Sequence, residues 1–145
     1  EFALLGGMID ITTGASKYTD PYKAVLYAIK KGVNISNITF SSDGNAGLEK
    51  LDDNGKLIGF RKAPIENNYL EVVNLIKEGG LEIEDAIKLI TINPANNLGL
   101  TNKGRVKVGA DADMCFLDSD LKLSDVIAKG EIMMENYNVK VNDSF

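Results

Sequence analysis

No histidine occurs anywhere in this chain, and that absence narrows its chemistry. A Ser-His-Asp arrangement cannot be assembled within it, so Ser41 and Ser42 have no imidazole to activate them. The single cysteine, Cys115, rules out an intrachain disulfide. Within the strand-like stretch ADMCFLD it reads as a small packed hydrophobe. Neither GxxxxGK[ST] nor a GxGxxG at a strand-to-helix turn is present, which removes the phosphate-loop and dinucleotide-binding readings. No leader-like segment and no run of about 18 apolar residues occurs, so a cytoplasmic setting without membrane insertion is the default expectation. Positive charge is also in short supply. The 16 Lys and Arg are outnumbered by 21 Asp and Glu, for a net charge of −5, and the basic residues are dispersed. A nucleic-acid or anionic-membrane surface needs them clustered, and neither partner is expected.

What is present is an ordinary globular composition, 44% hydrophobic and 26% charged over 145 residues, enough for a real core. Residues 3–12 (ALLGGMIDIT) read as a strand buried on both faces, the kind found in parallel sheets. Asp20-Pro21 reads as a helix N-cap followed by Pro at the first helical position, opening PYKAVLYAIKKG with Ala24, Val25, Ala28 and Ile29 on one face. ISNITF follows as a second short strand. A strand-helix-strand unit of this kind is parallel and right-handed in nearly all cases, which makes the fold class α/β.

The long loop from Ser41 to Pro64 contains Asn54-Gly55 between short apolar runs, predicting a small hairpin. IENNYLEVVNLIKEGG predicts a helix with Ile65, Tyr69, Val72, Val73 and Ile76 inward and Gly79-Gly80 as its stop. A second helix in LEIEDAIKLITINPANNLGL is expected to be bounded by Pro94, with a short helical or turn segment after it. From Lys103 the pattern becomes that of strands: GRVKVG, ADMCFLD, DVIAKG and EIMMENYNVKV. The chain therefore divides into an α/β part, residues 1–100, and a β part, residues 101–145.

The stretch ITFSSDGNAG carries the chemistry. Reactive groups in parallel α/β sheets collect at the carboxyl ends of strands, and Asp43 lies just past such an end, with Gly44 and Gly47 permitting a sharp turn and close approach. Asp-Gly is also an ordinary turn. A turn alone does not call for a following loop of about twenty residues. Asp10, a carboxylate inside a strand, is open to a site-facing or a locally paired role, and Asp111 and Asp113 in GADADM read as turn residues at a strand start.

The order GGMIDIT, helix, NITFSSDGNAG, a DDNGKL hairpin, two helices ending in TINPANNLGL, then KGRVKVGADADMCFLD and IAKGEIMMENY resembles the C-terminal part of the amidohydrolase superfamily. Within it, GG-x-IDIT and SSDGN are similar to the isoaspartyl (β-aspartyl) dipeptidases. The resemblance implies a fragment of a metal-dependent-hydrolase (β/α)8 TIM barrel, its last two βα units and following helices lying in residues 1–100. Residues 101–145 would add strands of a small β-sandwich domain. It implies a binuclear zinc centre cleaving isoaspartyl dipeptides, with Asp43 as metal ligand and general acid/base.

The family's other ligands, a His-x-His pair, a carboxylated lysine and two further histidines, would lie upstream of Glu1. One aspartate is too few for a catalytic zinc, which takes three or more protein ligands, so the chain is expected to be inactive alone. It is expected to associate with the missing N-terminal part or to form a homo-oligomer. The dipeptidases' substrate-binding serine four residues after the aspartate corresponds to Gly47, where a backbone NH or a neighbouring residue is left to make that contact. The alternatives are a dihydroorotase- or hydantoinase-like cyclic amide hydrolase and a non-catalytic interaction module.

Overall fold

A computed structural model of the chain describes residues 1–14 and 19–141. It forms two compact units that divide between Pro94 and Ala95, so the boundary expected at residue 100 lies inside the second. Among the described residues no helix is long and apolar enough to cross a membrane.

In the first unit, β1 (Ile9–Thr12) pairs in parallel with β2 (Ile38–Ser41), from Ile9 opposite Ile38 to Thr12 opposite Ser41. Period-two alternation sorts the side chains. Ile9, Ile11, Ile38 and Phe40 take the face covered by helices, and Asp10, Thr12, Thr39 and Ser41 take the other. The core joins Ile38 and Phe40 to Val25 of α1 (Pro21–Lys30), to Val72 and Leu75 of α2 (Asn67–Lys77), and to Ala86 and Leu89. Fully burying each of the larger side chains stabilises the unit by about 1.5–3 kcal/mol.

Several expectations are corrected here. Residues 3–12 do not form one strand: Phe2–Leu5 is a 3-10 helix, because Gly6 at φ 90 reverses the chain and returns its NH to Ala3. A second 3-10 turn, Ile35–Asn37, delays β2 to Ile38. Asp20 holds the N-cap position, but its side chain pairs with Lys23 at 2.6 Å. The free NH of Tyr22 donates instead to Glu71 Oε2 of α2 at 2.9 Å. Ile65 is exposed and Leu75 takes the buried place on α2.

Pro94 does not bound a helix. It lies inside α4 (Ile92–Asn97), in the first turn, where a missing NH costs nothing. The break falls at Thr91, with φ −124 and ψ −92, after α3 (Ile83–Ala86) and the 3-10 turn Ile87–Ile90. Asn93 is buried and donates from Nδ2 to the carbonyls of Ile35 and Ile38, both at 2.8 Å, which satisfies the entry to β2.

The loop after β2 holds the predicted hairpin, β3 (Gly47–Leu51) antiparallel to β4 (Leu57–Lys62). At its tip Gly55 adopts φ 78, and Asp52 Oδ1 accepts from the NH groups of Asn54 and Lys56 at 2.9 Å each.

The second unit is one antiparallel sheet in the order β5 (Met114–Leu117), β6 (Leu123–Ala128), β7 (Glu131–Glu135), β8 (Asn138–Val139). The expected strand in GRVKVG does not form. Val106 and Val108 are fully or nearly fully exposed, and among the described residues the segment pairs with no strand, which an isolated extended segment requires. EIMMENYNVKV folds back on itself because Asn136 and Tyr137 both take positive φ, 48 and 64, the two-residue geometry that suits a tight hairpin. The α/β class holds as a mixture of helix and strand. Among the described residues there is one parallel strand pair rather than a closed barrel, and one four-stranded sheet rather than a sandwich.

Candidate active site

The carboxyl ends of β1 and β2 bring the polar residues of the first unit together. β2 ends at Ser41, and the chain then turns through two non-glycine residues in the left-handed region, Asp43 at φ 53 and Asn45 at φ 67. Asp and Asn tolerate this conformation better than other residues with a side chain. The turn closes with Ala46 NH on the Asp43 carbonyl at 2.8 Å. Ala63 NH on the Ala46 carbonyl at 2.9 Å then fastens the base of the β3–β4 hairpin. Asp43 is exposed and forms no ion pair among the described residues.

From the β1 side, Thr13 NH donates to the Ser41 carbonyl at 2.7 Å, extending the strand pairing one residue beyond the sheet. Its hydroxyl has two acceptors within reach, Asn68 Oδ1 at 2.7 Å and the Ser41 carbonyl at 3.2 Å, and the shorter contact is to Asn68. Asn67 Nδ2 donates to the Thr13 carbonyl at 3.3 Å. Gly14 follows so tightly that a Cβ there would meet the Ser42 carbonyl oxygen at 2.2 Å and Asp43 Cβ at 3.3 Å. Gly44 is packed under Ile65, whose Cγ2 would stand 2.6 Å from an added Cβ. Asp10 receives the Thr39 hydroxyl on Oδ1 at 2.6 Å and the Ser41 hydroxyl on Oδ2. Of its two open roles, local pairing is the one its neighbours supply.

Gly47 opens β3 opposite Lys62. An added Cβ would find only Phe60 Cδ1 within 4 Å, at 3.7 Å, an ordinary van der Waals distance. The position can accept a small side chain. Thr13, Asn67 and Asn68 were not legible as site residues from sequence. The doubled asparagine at the start of α2 was the available signal, and nothing in the spacing tied it to a threonine 54 or 55 positions earlier.

The described residues contain no group of three or more His, Cys, Asp or Glu side chains placed to share a metal ion. A zinc site takes three or four such donors. Asp43 is open enough to serve as one donor, and the described residues do not complete a centre around it.

The acidic residues of the second unit have a different role. Lys103 Nζ bridges Asp111 Oδ2 at 2.7 Å and Asp113 Oδ2, and Lys129 NH donates to Asp113 Oδ1 at 2.7 Å. Hydrogen bonding from the Lys103 ammonium holds both carboxyls below the usual carboxylate range and raises the Lys103 pKa in turn. Cys115 is exposed rather than packed. What burial remains, with the nearby Asp113 charge, raises its thiol pKa, which leaves it a poor nucleophile.

Comparison with known proteins places this geometry in a family. The chain is 31% identical over 111 residues to a dihydroorotase of Clostridium botulinum, covering 73% of this chain and 26% of that protein. Its fold superposes with a TM-score of 0.82, at 32% identity, on a β-aspartyl dipeptidase of Fervidobacterium islandicum AW-1 solved in complex with β-Asp-Leu dipeptide. That match covers 99% of this chain and 38% of the dipeptidase. An N-acetylglucosamine-6-phosphate deacetylase of Pasteurella multocida shares the fold at a TM-score of 0.65 and 18% identity, over 88% of this chain and 37% of its own. The chain thus spans well under half the length of each of these relatives. The sequence pattern of the Amidohydrolase family runs through residues 6–141, across both units, and the chain belongs to that family.

Proposed function

We propose that this chain is the C-terminal portion of a metal-dependent isoaspartyl dipeptidase. In that reading β1 and β2 are neighbouring strands of a (β/α)8 barrel completed by sequence outside this chain. The observation that carries the reading is the likeness over 99% of the chain to a β-aspartyl dipeptidase solved with β-Asp-Leu. The position of Asp43, exposed past the carboxyl end of a parallel strand, agrees with it.

The Asp43 carboxylate acts as the proton carrier. It takes a proton from the attacking water on one oxygen and delivers it to the departing amine nitrogen as the isoaspartyl amide breaks. Zinc is the proposed metal, and when bound it supplies the positive charge that makes water acidic near neutral pH. Its remaining donors are assigned to the rest of the protein, so the 145-residue chain alone is proposed to be inactive. The 31% identity to a dihydroorotase supports a second reading, hydrolysis of a cyclic amide.

The deciding experiment assays the intact protein on β-Asp-Leu and on dihydroorotate, with and without a chelator. The expected outcome is dipeptide cleavage that a chelator abolishes and zinc restores. Asp43→Asn should lower kcat by roughly 10²–10⁴-fold, the usual worth of a positioned acid/base. Cleavage of dihydroorotate without cleavage of β-Asp-Leu would overturn the dipeptidase reading in favour of the second, and near-normal turnover by the variant would remove the role given to Asp43.

A further inference from the structure

We infer that Thr13 is a positioning residue for Asp43, acting through a clasp between the end of β1 and the start of α2. The inference rests on the acid/base role proposed for Asp43. Asp43 sits at φ 53 on an exposed turn, and neither exposure nor a left-handed backbone holds a carboxylate in one place. The restraint comes from below. Thr13 is 7% exposed, and its short hydroxyl bond to Asn68 Oδ1, 2.7 Å, anchors the end of β1 to α2.

The same residue carries the restraint on to the turn. Its NH holds the Ser41 carbonyl at 2.7 Å, two residues before Asp43. The following residue, Gly14, lies so close to the turn that a Cβ on it would stand 2.2 Å from the Ser42 carbonyl oxygen and 3.3 Å from Asp43 Cβ. A shift of Thr13 carries Gly14 with it, and a Gly14 shifted toward the turn meets the peptide that leads into Asp43. Asn67 closes the clasp from the other side by donating to the Thr13 carbonyl. Thr13 makes no claim on substrate. Its effect is to hold the carboxylate where proton transfer needs it, and displacements of about 1 Å in such a group can cost on the order of a hundredfold in rate.

Thr13→Val in the intact protein removes the hydroxyl and keeps the branched shape, whereas Thr13→Ser keeps the hydroxyl. For Thr13→Val we expect kcat on β-Asp-Leu to fall by about 10–100-fold with KM within about threefold of the parent value. Thr13→Ser should restore most of the loss. In an Asp43→Asn background Thr13→Val should cost nothing further, since the group it positions is already gone.

Hydrogen exchange read by mass spectrometry on the segment 41–46 should be faster in Thr13→Val and near the parent rate in Thr13→Ser. This readout needs no activity. If the intact protein leaves β-Asp-Leu uncut, the dipeptidase reading fails and exchange alone decides the clasp. Should Thr13→Val not fold, Asn68→Ala removes the shorter of the hydroxyl's two contacts and leaves the Ser41 carbonyl at 3.2 Å as its acceptor, so kcat should fall and exchange over 41–46 should quicken in the same direction but by less. The inference is overturned by a kcat within twofold of the parent, by unchanged exchange over 41–46, or by an equal loss in the Asp43→Asn background.

Discussion

Gly14 and Gly47 stand on either side of Asp43 in the sequence and face opposite demands. At Gly14 any side chain collides with the Ser42 backbone, and backbone cannot swing away as a side chain can. At Gly47 a small side chain meets only the edge of Phe60 at 3.7 Å, and Phe60 is 68% exposed and free to give way. A serine would therefore fit at Gly47 without rebuilding the hairpin. On the proposed dipeptidase reading, Gly47→Ser in the intact protein should lower KM for β-Asp-Leu by about tenfold, the worth of one hydrogen bond to a charged group. Its kcat should stay within about threefold. Steady-state kinetics on the two proteins check this, and an unchanged KM would mean that this position does not meet the substrate carboxylate.

At the scale of elements, one turn is built twice. Asp52 Oδ1 accepts from the NH groups of Asn54 and Lys56, and Asp118 Oδ1 accepts from those of Asp120 and Lys122, all at 2.9 Å. The left-handed position falls to Gly55 in the first and to Leu121 in the second, at φ 78 and 63, so only the first was visible as an Asn-Gly hairpin. In the second unit, the Lys122 NH and then the Tyr137 hydroxyl lower the Asp118 pKa, and Lys103 lowers those of Asp111 and Asp113. A carboxyl with a depressed folded-state pKa adds stability that is present above its unfolded pKa, about 3.9, and is lost as pH falls through the folded value. The chain should therefore lose stability below about pH 4. Asp113→Asn should be less stable than the parent at neutral pH and should lose less on acidification. Melting temperatures followed from neutral pH into acid test this, and parallel curves for the two proteins would count against it.

For the molecule as a whole, the distribution of apolar surface is the telling feature. The first unit buries a continuous core, yet the β3–β4 hairpin exposes Leu51, Leu57, Ile58 and Phe60. The sheet of the second unit leaves Phe116 and Ile132 about half exposed. Both edges of the β1–β2 pair lack a further strand among the described residues. Unpaired edges and uncovered apolar faces invite association. We predict that the isolated chain self-associates or binds the N-terminal part of its own protein. Light scattering should report a mass of two chains or more, with co-expression of the upstream part shifting it to a complex. A well-behaved monomer with a cooperative melt would overturn this and favour an independent module.

Much of this protein follows from local pattern alone. Asp20-Pro21 and Lys30-Lys31-Gly32 delimit α1 because helix ends need particular residues, and Asn54-Gly55 marks a hairpin because few residues accept its backbone. Apolar alternation in ITF decides which face of β2 meets the helices. The position of Asp43 past a strand end could be read from the same stretch. Tertiary structure decided what no spacing encodes. Glu71 rather than Asp20 caps α1, since a carboxylate from a packed helix reaches Tyr22 NH while Asp20 is drawn to Lys23. GRVKVG stays out of the sheet, since a strand exists only where a partner offers its edge. Thr13, Asn67 and Asn68 meet across more than fifty residues, because packing α2 on the strands brings their ends together, and no spacing in the sequence encodes that packing.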